Sequence, residues 1–169
     1  MTSLLLLALA ACTPDKDAAP ALSADPGTLD LGTVAIGETA EATVSLRNDG
    51  GGAIEILSAS LVEGDARAWA VARDGFDALQ GDMETTLTIT LSPDEEGRSP
   101  AELQIRSTDP AQPSLYVALE GVGGPSTADD DADGFSPAQG DCDDDDAAIF
   151  PGADEACDGA DSDCDGTVP

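Results

Sequence analysis

The sequence predicts an all-β fold: an antiparallel β-sandwich of about seven strands, followed by a small irregular aspartate-rich module. Three observations carry this reading. Apolar and polar residues alternate with period two in at least four short runs. Clusters of turn-forming residues separate those runs. Acidic residues are unevenly spread, with 15 of the 35 and none of the six basic residues in positions 125–169. That shift sets a boundary near "GVGGPSTADD".

At the N-terminus, "MTSLLLLALAAC" holds an apolar run from Leu4 to Ala11. Eight residues are too few for a bilayer core, which takes ~20 helical residues. The run suits the apolar region of a secretory signal followed by small residues. Leu9-Ala10-Ala11-Cys12 resembles the lipobox of bacterial lipoproteins. The resemblance implies lipidation of Cys12, removal of residues 1–11 and, with Thr13 next in line, an outer-membrane destination. Met1-Thr2-Ser3 departs from the usual signal in carrying no basic residue. Two alternatives stand beside this reading: a buried apolar segment, or ordinary cleavage after Ala8-Leu9-Ala10 that leaves Cys12 as a thiol. Residues 12–20, ending "TPDKDAAP", read as a short tether.

Residues 21–124 supply the sandwich. "ATVSL" sets Ala42, Val44 and Leu46 against Thr43 and Ser45, and "TLTITL" sets Leu87, Ile89 and Leu91 against three threonines. "AELQI" and "LYVAL" place Ala101, Leu103 and Ile105, then Leu115, Val117 and Leu119, each set on one face. "NDGGG" at 48–52, "SPDEEG" at 92–97 and "DPAQP" at 109–113 punctuate the runs. Trp69 and Val71 in "AWAVA" read as core.

The charge balance excludes several functions. With six basic against 35 acidic residues the net charge is −29, so nucleic acid and anionic membrane surfaces are repelled. Divalent cations are the partners that such a chain attracts. The absence of histidine removes Ser-His-Asp and Cys-His catalysis and imidazole metal ligands together. A glycosidase-like carboxylate pair is conceivable, but nothing sets two such groups across a cleft in the sandwich. The chain is therefore expected not to be an enzyme.

Within residues 125–169 the acid keeps register. "DDDADGF" places Asp129, Asp131 and Asp133 at alternate positions before Gly134, and "DSDCDGT" repeats this with Asp161, Asp163, Asp165 and Gly166. D-x-D-x-D-G opens an oxygen-ligand calcium loop: alternate side chains converge on one cation and glycine takes the sharp turn. The twelfth position of the first loop is Gly140, which offers no side-chain ligand, so Asp141 would have to serve through altered loop geometry. The middle run, Asp141, Asp143 and Asp145, has Asp146 where glycine is wanted. Oxygen donors suit calcium; magnesium dehydrates reluctantly, and copper favours imidazole, thiolate or thioether, while the segment has no histidine or methionine. The plain alternative is a solvated, disordered acidic tail.

Cys142, Cys157 and Cys164 are disulfide candidates in an exported chain. Three is odd, so one is unpaired or pairs with another chain, unless Cys12 escapes lipidation. Connectivity stays open at this point.

Two resemblances add to this reading. "LDLGTVAIGETAEATVSLRNDGGGAIEI" and "LSPDEEGRSPAELQIRSTDPAQPSLYVALEGVG" resemble the Hydin-type (ASH-like) immunoglobulin-like domain, also carried by bacterial surface proteins of the choice-of-anchor D type. That implies an immunoglobulin-like sandwich with a structural or protein-interaction role. The G-D-C-D-D, P-G-A-x-E-x-C-D-G and D-x-D-C-D-G phrases resemble the MopE-type metal-binding repeat, which implies metal binding in a secreted or surface protein and brings an association with copper. The combined expectation is an exported, lipid-anchored envelope protein that engages another envelope or surface protein and binds calcium. The rival is a surface protein that captures copper.

Overall fold

The computed structural model describes residues 18–64, 66–73, 75 and 78–168. The apolar run Leu4–Ala11 and Cys12 lie outside the described residues. In chain order the strands are β1 (Leu22–Asp25), β2 (Thr28–Ala35), β3 (Ala40–Asn48), β4 (Ala53–Ile54), β5 (Ile56–Gly64), β6 (Trp69–Arg73), β7 (Leu79–Gln80), β8 (Glu84–Leu91), β9 (Gly97–Arg98), β10 (Ala101–Ser107) and β11 (Ser114–Gly124). No helix among the described residues is long and apolar enough to cross a membrane.

Two sheets stack. One has the order β1-β3-β8-β6; the other runs β2-β11-β10-β5, with β9 added beside β11, and β4 and β7 form a small separate ribbon. The four runs that alternate in the sequence fall within β3, β8, β10 and β11. Their apolar faces meet between the sheets: Val44, Leu46, Leu87, Ile89 and Leu91 from one side, Leu103, Ile105, Val117 and Leu119 from the other, all at most 1% exposed. Each such side chain stabilises the fold by about 1.5–3 kcal/mol. Trp69 joins this core and donates its indole N–H to the Ser99 carbonyl at 2.8 Å, while Val71 packs at the margin.

Ladder directions are antiparallel except one: β2 runs parallel to β11. Residues 26–27 carry the chain from β1 in the first sheet to β2 in the second, and the new strand meets β11 while travelling the same way. Alternation records which face a residue takes, not the direction of its neighbour, so the sequence could not show this pair.

Strand β11 leads straight into the aspartate-rich segment. Gly124, its last residue, accepts the Ile36 N–H at 3.1 Å, and Thr127 then donates its hydroxyl to the Glu38 carboxylate at 3.4 Å. Beyond this point the described residues contain no strand, and a single 3-10 turn at Pro137–Gln139 is the one helical element.

Candidate metal centres

With so little regular structure, residues 125–168 are organised by aspartates that fold the backbone around themselves. In the first loop the Asp129 carboxylate accepts the N–H groups of Ala132 (2.8 Å) and Gly134 (3.0 Å). In the second, Asp161 accepts those of Asp165 (3.2 Å) and Gly166 (2.9 Å). The two loops share one backbone path. Ala132 and Cys164, both fourth in their loops, are left-handed at φ 67° and 56°, and Gly134 and Gly166, both sixth, follow at φ 104° and 87°. A left-handed conformation costs an ordinary residue about 1–2 kcal/mol, so side-chain-to-backbone bonds hold both loops in a shape the backbone alone would not choose.

That shape gathers carboxylates. One oxygen each from Asp129, Asp131 and Asp133 lie within 4.8 Å of one another, and so do oxygens from Glu155, Asp161 and Asp163. In the first group the two oxygens of a carboxylate have different duties. Oδ1 of Asp131 accepts the Asp133 N–H (3.1 Å), Oδ1 of Asp133 accepts that of Phe135 (2.8 Å), and Oδ1 of Asp141 accepts that of Asp143 (3.0 Å). Oδ2 of all three is buried and has no hydrogen-bond partner. A buried acceptor left unpaired costs about 1–3 kcal/mol, more when charged. A cation is one partner that would satisfy all three.

Asp141, thirteenth from the start of the loop, is not one of the three gathered carboxylates, but its charge acts on Asp131. The 3-10 turn and Gly140 at φ 101° swing the chain back, and the Asp141 N–H bonds the Ser136 carbonyl at 3.1 Å. Its residue is 7% exposed. Desolvation pushes the Asp131 carboxyl above its ordinary value; the Asp133 N–H opposes this, and the charges of Asp133, Asp141 and Asp129 add to the rise. Asp131 thus feels all three neighbours. Asp144, unremarked in the sequence, lies at the rim: it accepts the Asp130 N–H at 3.2 Å and is pushed up by desolvation first, and then by the charges of Asp130, Asp141 and Asp129.

The second group differs from its sequence template. Glu155 accepts the N–H groups of Ser162 (2.8 Å) and Asp163 (3.1 Å) and thereby stands over the loop. Asp165 instead turns to Thr167, accepting its N–H at 2.8 Å and its hydroxyl, and these bonds, the hydroxyl first, lower its carboxyl. Asp163 is pushed up by desolvation and by the charges of Asp165, Glu155 and Asp161, against the Asp165 N–H. Glu155 therefore occupies the place where periodicity expects Asp165. Its signal was present in the P-G-A-x-E phrase, but six residues ahead of Asp161 it fell outside the loop template. Asp143 and Asp145 are exposed and belong to neither group.

A disulfide joins Cys142 to Cys164, and Cys157 is an exposed free thiol. The Phe135 and Phe150 rings stack with centroids 5.6 Å apart, and the Phe150 and Gly152 N–H groups bond the Ser162 and Asp163 carbonyls at 3.0 and 3.2 Å. These contacts hold one loop against the other.

An immunoglobulin-like sandwich followed by a disulfide-closed carboxylate module defines the class of protein. The family model described as abnormal spindle-like microcephaly-associated, ASPM-SPD-2-Hydin (ASH), matches residues 17–115, and the chain belongs to that family. A second model, of the metal-binding motif named for copper binding in MopE, matches residues 141–168. No curated protein is detectably similar in sequence. Among solved structures, a Porphyromonas gingivalis W83 protein is 23% identical with a TM-score of 0.51, over 62% of this chain and 46% of that one. The Vibrio cholerae VesB protease is 10% identical with a TM-score of 0.50, over 60% of this chain and 31% of its own. The ASH/PapD-like domain 7 of human CEP192 is 16% identical with a TM-score of 0.47, over 73% and 96%. The chain thus spans less than half the length of the first two, and the likeness concerns the fold alone.

Proposed function

We propose that this is an exported, lipid-anchored, non-enzymatic protein of the cell envelope, tethered through Cys12. Its ASH sandwich is the module that engages another envelope protein, and its C-terminal module binds calcium. The observation that supports calcium is the set of three buried, unpartnered carboxylate oxygens on Asp131, Asp133 and Asp141. Calcium takes 6–8 oxygen ligands, and the first centre offers carboxylates from Asp129, Asp131 and Asp133, with the charge of Asp141 acting on Asp131.

The copper in the motif's name finds poor donors here. The chain has no histidine, Cys142 and Cys164 are joined, and Cys157 is the one thiol among the described residues. Copper sites favour imidazole, thiolate or thioether. The donors that converge are hard oxygens.

The test is calcium titration of the full chain by calorimetry and NMR. Saturable binding that orders residues 125–168 is expected. Spectra unchanged at about 10 mM calcium, tenfold above the roughly 1 mM dissociation constants of weak extracellular modules, reject the reading. Tight copper binding that calcium cannot displace would instead favour metal capture.

A further inference from the structure

We propose that the Cys142–Cys164 disulfide is a thiol-operated latch on both cation centres, so that the module holds its cations when the bond is formed and releases them when it is reduced. The proposal rests on the calcium reading above and adds its regulation.

Placement is the first observation. Cys142 directly follows Asp141, whose carboxylate has a buried, unpartnered oxygen and whose charge acts on Asp131 of the first centre. Cys164 is the left-handed fourth residue of the second loop, between Asp163, a member of the second centre, and Asp165. One covalent bond therefore connects the neighbour of Asp141, beside the first centre, to the neighbour of Asp163 in the second. The Cys142 N–H also points at the Cys164 sulfur, 3.2 Å away, which reinforces the join.

The second observation is how little else opposes opening. Besides the Phe150–Ser162 and Gly152–Asp163 backbone bonds, the loops share the ring stack of Phe135 on Phe150, the module's one aromatic contact among the described residues, and no strand or α-helix supports it. Residues 125–169 carry 15 acidic groups and no basic one. Like charges at this density push the segment apart unless cations or covalent bonds restrain it. The disulfide closes a loop with a sequence separation of 22, and such closure removes much of the entropy of the open chain. Without it, Asp141 keeps its bonds to Ser136 and Asp143, both partners within five residues of it in the chain.

The step is a thiol–disulfide exchange. A dithiol reductant delivers two electrons and two protons, the sulfur–sulfur bond breaks to give the Cys142 and Cys164 thiols, and the reductant leaves as its own disulfide. Cys142 is exposed, so a thiolate can approach it. Coupling is reciprocal: if the bond strengthens calcium binding by some factor, calcium protects the bond against reduction by the same factor.

The experiment uses the full chain with Cys157→Ser, which prevents disulfide scrambling. Calcium affinity is measured by calorimetry in the oxidised protein, after reduction by dithiothreitol, and in the added Cys142→Ser/Cys164→Ser variant. The emission of buried Trp69 confirms in each case that the sandwich is folded. Affinity about 10- to 100-fold weaker in both opened forms is expected from loop closure of this size, together with a dithiothreitol midpoint that calcium displaces toward more reductant. Equal affinity in oxidised and opened forms overturns the latch and leaves the calcium reading intact. An oxidised protein that binds no calcium overturns both.

Discussion

The carboxylate of Asp109 accepts the backbone N–H of Leu22 at 2.8 Å, although 87 residues separate them. Its other oxygen accepts the N–H groups of Ala111 and Gln112 at 2.8 and 3.3 Å, and Asp109 itself is 2% exposed. The turn between β10 and β11 is thereby clasped to the start of β1, one sheet to the other. Burial pushes this carboxyl up, but the three N–H groups outweigh it and hold it below its ordinary 3.8.

Replacing Asp109 with alanine should strand the buried Leu22 donor, release two part-buried ones, and destabilise the sandwich by about 1–3 kcal/mol. Urea unfolding followed by Trp69 emission measures this. Because the folded carboxyl is the stronger acid, its contribution is complete above 3.8 and is lost as pH falls through the lower folded value. The gap between wild type and Asp109→Ala should therefore narrow on acidification and stay constant near neutrality. A gap that widens in acid would contradict the clasp.

Asn48 performs a second closure. Its oxygen accepts the N–H groups of Ala21 and Gly50, its amide donates to the carbonyls of Gly52 and Leu79, all at 3.1 Å, and the residue is 0% exposed. Asn48→Asp should be worse than Asn48→Ala, because it sets a buried charge against two carbonyl oxygens. A cost of about 3 kcal/mol or more is expected for the aspartate. Thermal melts of the two variants give the order, and equal Tm values would show that the amide's donors do not matter.

Both residues show where the sequence was legible and where it was not. Short runs such as "TLTITL" could be read because each strand buries one face, and period two is the direct imprint of that. Asn48 and Asp109 stood in "NDGGG" and "DPAQP", where small polar side chains announce turns. The same ability to bond nearby backbone lets them be buried as clasps between distant segments, and no local pattern separates the two uses. In the module, the loop aspartates at alternate positions were visible. Glu155 was not, since its approach depends on the chain folding back over Ser162 and Asp163. Asp143 and Asp145 look like ligands by composition alone. Their run lacks the glycine that follows each of the other two triplets, and both side chains stay in solvent.

The N-terminal proposal makes its own demand. Cys12→Ser should abolish palmitate incorporation and move the protein from the membrane to the soluble fraction, since several acyl chains anchor stably at ~0.8 kcal/mol per buried methylene. Wild-type protein recovered in soluble form and beginning at Ala11 would reject the anchor. The cysteine count would then be even, with Cys12 available to Cys157.

The sharpest test of the proposed ligands against bystanders comes from neighbours in the sequence. Asp141 and Asp143 are two residues apart in one acidic run, yet Asp141 is 7% exposed with an unpartnered oxygen while Asp143 is exposed. Asparagine at 141 keeps an acceptor for the Asp143 N–H but removes a charge that acts on Asp131 of the first centre. Calcium affinity is tuned by ligand charge, so Asp141→Asn should weaken binding roughly tenfold or more, or about 1.4 kcal/mol. Asp143→Asn should change it by less than about twofold, since an exposed charge in salt is largely screened. At the second centre Glu155→Gln should resemble Asp141→Asn. Asp165→Asn should act mainly on the Thr167 turn, because that is where its oxygen is engaged. Calorimetry on the four variants at one ionic strength decides the matter. If Asp143→Asn and Asp165→Asn weaken binding as much as Asp141→Asn and Glu155→Gln, the cations are held by the diffuse charge of the segment and not by these two groups.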